Sequence, residues 1–260
     1  MTNANAPKLW TVDFILACIA NFMLGFSFYL SMPVLPFYLL KHLQIDTGTV
    51  GLIMSCYVGA ALIIRPFSGF FVDRYPSKPL YLSSLSVFTL LSAGYLVADS
   101  VSAFVALRLG IGLSFGIITT ASNTQAIDIM PSARRGEGIG YFGLMTNLSM
   151  ALGPMAGLFL YEYYSFSIMF ESAIAVGLLG IIFASFIKAP AKTRVGRQKI
   201  SLDRFILTKA IPLGLNVIFF AMSYGMISSF AAMYGKEIGV VSTGLFFTFM
   251  AAGMISSRLF

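Results

Sequence analysis

The chain has 260 residues, of which 58% are hydrophobic and only 10% are charged, and its mean hydropathy is +0.86. Soluble domains carry about 25% charged residues, so this composition excludes an ordinary soluble domain and indicates a chain embedded in a lipid bilayer. The net charge of +7 would suit a nucleic-acid-binding protein as well as a membrane protein, and the placement of the charges decides between them.

Apolar segments long enough to cross a membrane follow one another along almost the whole chain. A hydrocarbon core about 30 Å thick needs roughly 20 apolar residues per helix, and helices are expected because they pair their own backbone polar groups. The first segment is too long for a signal-peptide core, so we expect it to remain as the first span. The predicted spans are 13–40, 49–72, 79–98, 102–125, 138–161, 166–188 and 205–234, with an eighth that starts near Ser242.

Basic residues are concentrated in alternate loops. Of the 17 lysines and arginines, Lys41 and Lys236 fall on one side of the predicted membrane, Arg65, Arg108 and Arg258 fall within spans, and all the others lie on the side of the N-terminus. This asymmetry is typical of the positive-inside rule and predicts a cytoplasmic N-terminus. The positive charge therefore reports topology, and we expect a lipid bilayer rather than a nucleic acid as the partner.

A single long polar stretch, KAPAKTRVGRQKISLDR from Lys188 to Arg204, separates the sixth and seventh predicted spans. It is typical of a solvated basic loop beside anionic lipid. The predicted fold class is therefore an all-α polytopic membrane protein in three parts. These are a six-helix bundle over residues 1–188, a cytosolic linker over 189–204, and the first two helices of a second bundle over 205–260.

A weak internal repeat relates the two sides of this linker. FYLLKHLQIDTGTVGL, which starts at Phe37, aligns without gaps with FAAMYGKEIGVVSTGL, which starts at Phe230, an offset of 193 residues. The same offset pairs Arg65 with Arg258, and two arginines at equal depth favour a duplication because buried arginine is costly in a membrane. Two six-helix units in one orientation are a known transporter architecture. We therefore expect a parent protein of twelve spans, with its last four helices beyond this chain.

The turn between the second and third spans carries a recognisable motif. GFFVDRYPSKPL is similar to the signature G-x-x-x-D-R-x-G-R-K of the major facilitator superfamily: it keeps Gly69, Asp73, Arg74 and Lys78 and departs at the Pro-Ser pair. The chain therefore resembles this family, which implies a fold of two six-helix bundles and transport of small molecules without a cofactor. The resemblance implies that Gly69 allows a neighbouring helix to approach and that Asp73 stabilises the outward-facing state, with the eleventh helix as partner.

The stretch RLGIGLSFG, which begins at Arg108, admits two interpretations. Its last five residues spell the G-x-S-x-G of a hydrolase elbow around Ser114, but the single histidine, His42, lies in an outer loop and cannot reach that serine. We therefore predict no enzyme and a close-packing helix face, with Arg108, Gly112 and Gly116 at successive spacings of four. Arg108 and Gly112 also resemble the family's fourth-helix pattern R-x-x-x-G, which implies proton coupling or recognition of substrate charge. The alternative is an arginine that snorkels to the outer surface.

The fifth span resembles the antiporter pattern of the same family. That pattern is a glycine, eight residues, a glycine, three residues, Gly-Pro, two residues and two glycines. Such a helix bends and frees a carbonyl at the proline, and its small residues permit tight contacts, so the resemblance favours an exporter. A kinked packing helix is the alternative. The matching positions are Gly140, Gly153, Pro154 and Gly157, with Ser149 and Leu158 where the pattern has glycine.

Polar side chains at helix depths are the candidates for a substrate cavity, namely Asn21, Tyr29, Arg108, Asn147 and Tyr224. For each of the four besides Arg108, an interhelical hydrogen bond is an equal alternative. None of the acidic residues lies clearly at mid-bilayer. The proton site therefore lies in helices beyond this chain, or pairs Arg108 with an acid from there, or is absent because transport is uncoupled.

Together these features predict a secondary transporter of the bacterial inner membrane that exports drug-like or metabolite-like small molecules by alternating access, with protons as the coupling ion. Two alternatives remain: an importer of sugars or metabolites on the same fold, and a membrane sensor that transports nothing. Cys18, Cys56 and His42 have no metal-ligand spacing, so neither a metal nor a cofactor is expected.

Overall fold

The computed structural model describes residues 8–188, 211–240 and 243–256, which are helical almost throughout and include no strand. Six of the helical segments within this part of the chain are long and apolar enough to cross a membrane. The helices are α1 (Val12–Ser31), α2 (Val34–His42), α3 (Thr47–Arg74), α4 (Ser77–Ala93), α5 (Val101–Ile129), α6 (Arg135–Tyr163), α7 (Phe166–Phe186), α8 (Ile211–Glu237) and α9 (Thr243–Ser256), with short 3₁₀ turns at Gly94–Leu96 and Ser132–Arg134.

The predicted spans agree with these helices except at one place. The first span is broken into α1 and α2 at Met32 and Pro33, because a proline lacks the N–H that would continue the helix and its ring clashes with the preceding turn. Residues 205–210 of the seventh predicted span lie outside the described residues, and α8 is described from Ile211. The basic linker over 189–204 and Arg258, which completes the repeat, lie outside the described residues.

Four of the described helices begin at a side-chain cap formed by a Thr, Asp or Ser residue. Thr11, Asp46, Ser100 and Ser165 each accept a hydrogen bond from the backbone N–H three residues later, which satisfies a donor that the first turn leaves unpaired. At Asp46 the hydroxyl and amide of Thr49 both donate to the carboxylate, at 2.6 and 2.9 Å, and they lower the pKa of this exposed acid. These caps fix where each span starts.

The first seven helices form one bundle with two distinct ends. α1 packs against α6 and α7, α3 packs against α5, and α4 packs against α5 and α7, while α9 lies against α6. We call the end that contains Leu9, Tyr75 and Phe186 the proximal face, and the end that contains His42 and Tyr163 the distal face. The chain enters at the proximal face, where the backbone N–H of Lys188 donates to Asp13 at 2.7 Å and joins the end of α7 to the start of α1.

The contact between α1 and α6 brings two backbones together. A Cβ added at Gly157 would lie 2.8 Å from the carbonyl carbon of Leu30, and one at Gly153 would lie 2.6 Å from Cβ of Tyr29. Ser149, which stands where the antiporter pattern has glycine, fits because α1 has Gly25 opposite it. Without a hydrophobic driving force between helices in lipid, such close packing is a main source of association.

Gly140, at the start of the same pattern, does not share this role. It is exposed, and no described atom lies within 4 Å of the position that its Cβ would take. Among the described residues, Gly140 therefore makes no tight helix contact, unlike Gly153 and Gly157. The close contact is confined to the distal half of α6, where α1 runs beside it in the same direction.

Replacing Gly157 by alanine should separate α1 from α6. We expect Gly157→Ala to lower the free energy of unfolding by about 1–3 kcal/mol, because the added methyl meets backbone that cannot move aside. The matched control is Gly140→Ala, for which we expect no loss and a gain of up to about 1 kcal/mol from helix propensity. Thermal unfolding of the purified protein in detergent measures both, and equal effects of the two substitutions would contradict the packing described here.

Candidate functional site

The signature turn lies at the proximal face between α3 and α4. Asp73 and Arg74 are exposed in the last turn of α3, and the guanidinium carbon of Arg74 lies 5.9 Å from the centre of the Phe70 ring. A Cβ added at Gly69 would meet no described atom within 4 Å. Three of the four motif residues thus point away from the helices that the structure describes.

Lys78 of the same motif joins two helices. Its Nζ donates to the carbonyl oxygen of Ser185 at 2.7 Å, in the last turn of α7, where a helix carries partial negative charge and unpaired carbonyls. The neighbouring Ser77 hydroxyl lies 3.3 Å from a carboxylate oxygen of Asp128 near the end of α5. The start of α4 is therefore tied to α5 and α7 at the proximal face.

Arg108 is enclosed between α5 and α3. Its side chain is only 4% exposed, one terminal nitrogen lies 2.6 Å from the sulfur of Met54, and its guanidinium carbon lies 5.8 Å from the centre of the Tyr57 ring. Nε has no hydrogen-bond partner among the described residues. The snorkelling alternative is therefore wrong. The positive charge is held inside the bundle next to a sulfur atom and an aromatic ring. Its burial costs free energy, and a counter-ion would lower that cost.

The rest of RLGIGLSFG forms the packing face that its spacing predicts. Cβ atoms added at Gly112 and Gly116 would collide with backbone of α3, at the carbonyls of Tyr57 and Ala61. Ser114 lies in the middle of α5, and its hydroxyl donates to the carbonyl four residues earlier at 2.9 Å. This geometry is that of an ordinary helical serine, and it differs from the exposed strand-to-helix turn of a hydrolase nucleophile.

An aromatic cluster next to Arg108 was not found from the sequence. Phe28, Tyr57, Phe88 and Phe115 come from α1, α3, α4 and α5, and the Phe28 ring centre lies 5.0 Å from that of Tyr57 and 4.7 Å from that of Phe115. Phe88 lies 6.2 Å from Phe115. No spacing along one helix relates the four residues, so only the packing of four helices reveals them. Through Tyr57, the cluster forms an apolar wall beside the Arg108 guanidinium.

The proline of α6 frees a backbone carbonyl that accepts a hydrogen bond from α8. Pro154 has no N–H, so the carbonyl of Met150, four residues earlier, lacks its helical donor. The hydroxyl of Tyr224 on α8 lies 3.4 Å from this oxygen and donates to it. The sequence predicted the freed carbonyl and proposed Tyr224 as a cavity residue, but nothing in the pattern connected the two.

The other cavity candidates differ in how their polar atoms are used. The amide nitrogen of Asn21 donates to Thr146 Oγ1 at 2.9 Å and to a backbone carbonyl of α6 at 3.2 Å, so this side chain joins α1 to α6. Asn147 is half-buried, and its side chain makes no hydrogen bond to a described residue. Tyr29 is half-buried beside Phe28, with ring centres 5.1 Å apart. Asn147 and Tyr29 are therefore better placed for a ligand than Asn21.

Residues 17–260 match the sequence pattern of the Major Facilitator Superfamily. The chain belongs to this transporter family. This major-facilitator chain is 28% identical over 238 residues to the quinolone resistance protein NorA of Staphylococcus aureus (strain MRSA252), a match that covers 86% of the chain and 60% of NorA. It is 30% identical over 166 residues to the uncharacterized MFS-type transporter YhcA of Bacillus subtilis (strain 168), covering 64% of the chain and 31% of YhcA. The chain thus spans less than two thirds of these relatives.

Solved transporters share the fold of this major-facilitator chain. The human organic anion transporter MFSD10 (TETRAN) matches with a TM-score of 0.74 at 18% identity, covering 97% of the chain and 72% of that protein. The nucleoside transporter NupG matches with a TM-score of 0.68 at 14% identity, covering 95% of the chain and 66% of that protein. At these identities the likeness establishes the helical arrangement of an integral membrane transporter.

The bond between Tyr224 and the Met150 carbonyl should depend on Pro154. We expect Tyr224→Phe to lower the free energy of unfolding of the major-facilitator protein by about 0.6 kcal/mol, the average for an interhelical hydrogen bond in a membrane. In a Pro154→Ala background the same change should have no effect, because the new amide at 154 pairs with Met150.

Thermal unfolding of the four proteins in this double-mutant cycle measures the coupling. The control is Tyr234→Phe on the same helix, whose side chain is exposed and which should leave stability unchanged in both backgrounds. An equal effect of Tyr224→Phe with and without the proline would contradict the contact.

Proposed function

We propose that the chain is part of a secondary transporter that exports drug-like or metabolite-like small molecules from a bacterial cell by alternating access. The observation that carries the proposal is the position of α6. Its antiporter-type small residues pack against α1 within the first unit. On its other side, the carbonyl that Pro154 frees accepts a hydrogen bond from Tyr224 of α8, and α6 also contacts α9. A helix that is fixed on one side and bonded across the interface on the other is suited to transmit a rocking movement.

The relative NorA supports the direction of transport that we propose. Its name assigns it to quinolone resistance, and it is similar to this chain over 86% of the chain's length. The spacing of Gly153, Pro154 and Gly157 resembles antiporters of the family. These two observations favour export over the uptake of sugars or metabolites, and transport over a sensor without transport.

We further propose that Arg108 serves the transported compound or its coupling ion. The guanidinium is buried, it has an unpaired Nε, and no described carboxylate forms an ion pair with it. Such a charge is costly in a membrane protein unless an anion compensates it. The anion that we propose is a carboxylate of the substrate or of an acidic residue beyond position 260, and protonation of that acid would couple export to the proton gradient.

The proposed architecture assigns residues 1–188 to the first unit, 189–204 to a cytosolic linker and the segment from 205 onward to the start of a second unit. The N-terminus is proposed to lie in the cytoplasm, so that the proximal face is cytoplasmic and the distal face is outside. Under this arrangement Gly69 and Asp73 face a helix of the second unit beyond this chain, which accords with the open space around Gly69.

Export is tested with the full-length protein in bacteria that lack their major exporters. Cells that express it should accumulate less of a fluorescent quinolone than cells with an empty vector. Arg108→Ala should lower the initial export rate at least ~10-fold, which corresponds to about 1.4 kcal/mol on the barrier. Ser114→Ala on the same helix, whose hydroxyl bonds only within α5, should export normally. A correctly inserted protein that neither exports nor takes up any compound would favour the sensor.

Orientation is tested by labelling single cysteines in intact cells. With Cys18 and Cys56 replaced by alanine, Asp99→Cys places an exposed thiol at the distal face and Ser132→Cys places one at the proximal face. A membrane-impermeant maleimide should label position 99 and leave position 132 unlabelled until the cells are opened. The reverse pattern would overturn the proposed orientation.

A further inference from the structure

Four side chains from three helices meet at the distal face in a group that the sequence patterns did not indicate. Nζ of Lys236, in the last turn of α8, lies 3.0 Å from a carboxylate oxygen of Glu162 in the last turn of α6. The same ammonium lies 4.8 Å from the centre of the Phe37 ring on α2 and 5.6 Å from that of Tyr161 on α6. We call Phe37, Tyr161, Glu162 and Lys236 the distal latch.

The electrostatics of the helix ends favour this arrangement. α2, α6 and α8 all end at the distal face, and a helix C-terminus carries partial negative charge. Glu162 is therefore in an unfavourable position by itself, and Lys236 offsets both the carboxylate and the helix ends. The two side chains are only 33% and 24% exposed, so solvent screens their attraction less than it screens a pair on an open surface.

The latch joins the bundle of α1 to α7 to α8. Along α8, the described side chains of the first half are exposed, for example Phe219 at 71% and Met222 at 63%, whereas Ser228 is 0% and Ala232 is 2% exposed. Among the described side chains of α8, the buried ones lie toward the distal end, where Lys236 lies. The ion pair at this end holds the bundle and α8 together at the distal face.

We propose that the distal latch is the outer gate of the transporter: Lys236 keeps the distal face closed, and its separation from Glu162, Tyr161 and Phe37 is required for the substrate site to open outward. This assignment rests on the function and orientation proposed above. The ammonium is held by side-chain atoms, namely two aromatic rings and one carboxylate, and not by close packing of backbones. The contact is therefore able to break and re-form in each transport cycle.

Lys41 provides a matched control. Its ammonium lies 5.7 Å from the same Tyr161 ring, but Lys41 belongs to α2 and so bonds only within the first bundle. Lys41→Gln and Lys236→Gln each remove one positive charge from the distal face. Of the two lysines, only Lys236 lies on α8.

The test measures the distance across the distal face in the full-length protein reconstituted in lipid nanodiscs. Spin labels at Val97→Cys and Ile238→Cys, with Cys18 and Cys56 replaced by alanine, occupy exposed positions on the first bundle and just after α8. Pulsed electron paramagnetic resonance then reports the populations of a short, closed distance and a long, open one. We expect Lys236→Gln to lower the ratio of closed to open at least ~5-fold, Glu162→Gln to shift it in the same direction, and Lys41→Gln to leave it unchanged.

The charge-swapped protein that combines Lys236→Glu with Glu162→Lys should restore part of the closed population, because it rebuilds the ion pair but not the contacts of the ammonium with the Phe37 and Tyr161 rings. An unchanged ratio in Lys236→Gln, an equal shift in Lys41→Gln, or no recovery in the swapped protein would each overturn the latch. The distances are independent of transport. A latch that opens as expected in a protein that exports nothing would disprove the proposed function alone, and normal export with unchanged distances would disprove the latch alone.

Discussion

The backbone contact between α1 and α6 is the constraint on which the rest of the structure depends. In lipid, apolar side chains gain little by leaving their surroundings, so helices associate where small residues let backbones approach and where polar groups pair. Gly157 and Gly153 meet Leu30 and Tyr29 in this way, and Asn21 adds a hydrogen bond across the same seam. With α6 fixed on α1, Pro154 is buried at the seam and the carbonyl that it frees is presented to α8.

The same seam shows what one sequence reveals and what it conceals. The close-packing glycines of α6 and the carbonyl freed at Pro154 could be predicted, because both follow from positions along one helix. Ser149 looked like a departure from the antiporter pattern, but the space that it needs is supplied by Gly25 on another helix. Gly140 matched the pattern and yet contacts nothing in the described chain. Compensation across an interface is invisible until the partner helix is known.

The charged residues follow the same division. The length of the apolar segments predicted six spans correctly, because it depends only on local composition. The surroundings of Arg108 could not be predicted, since Met54 and Tyr57 belong to another helix and the aromatic cluster draws on four. The break at Pro33 was visible as a proline, but whether it kinks or interrupts a helix depends on what packs beside it.

The contacts within the bundle of α1 to α7 and the polar contacts of α8 with it differ in kind, and this difference would suit the alternating access that we propose. The α1–α6 seam is built from backbone atoms in van der Waals contact, which cannot separate without opening a void in the bundle. The polar contacts of α8 with α6 are made by the ends of side chains: a tyrosine hydroxyl at Met150 and, about 18 Å further along the helix, an ammonium at Glu162. Such contacts break at the cost of a few polar interactions and leave both packed units intact. In the transporter that we propose, the positions of these two kinds of contact would make α8 the side on which the bundle of α1 to α7 moves.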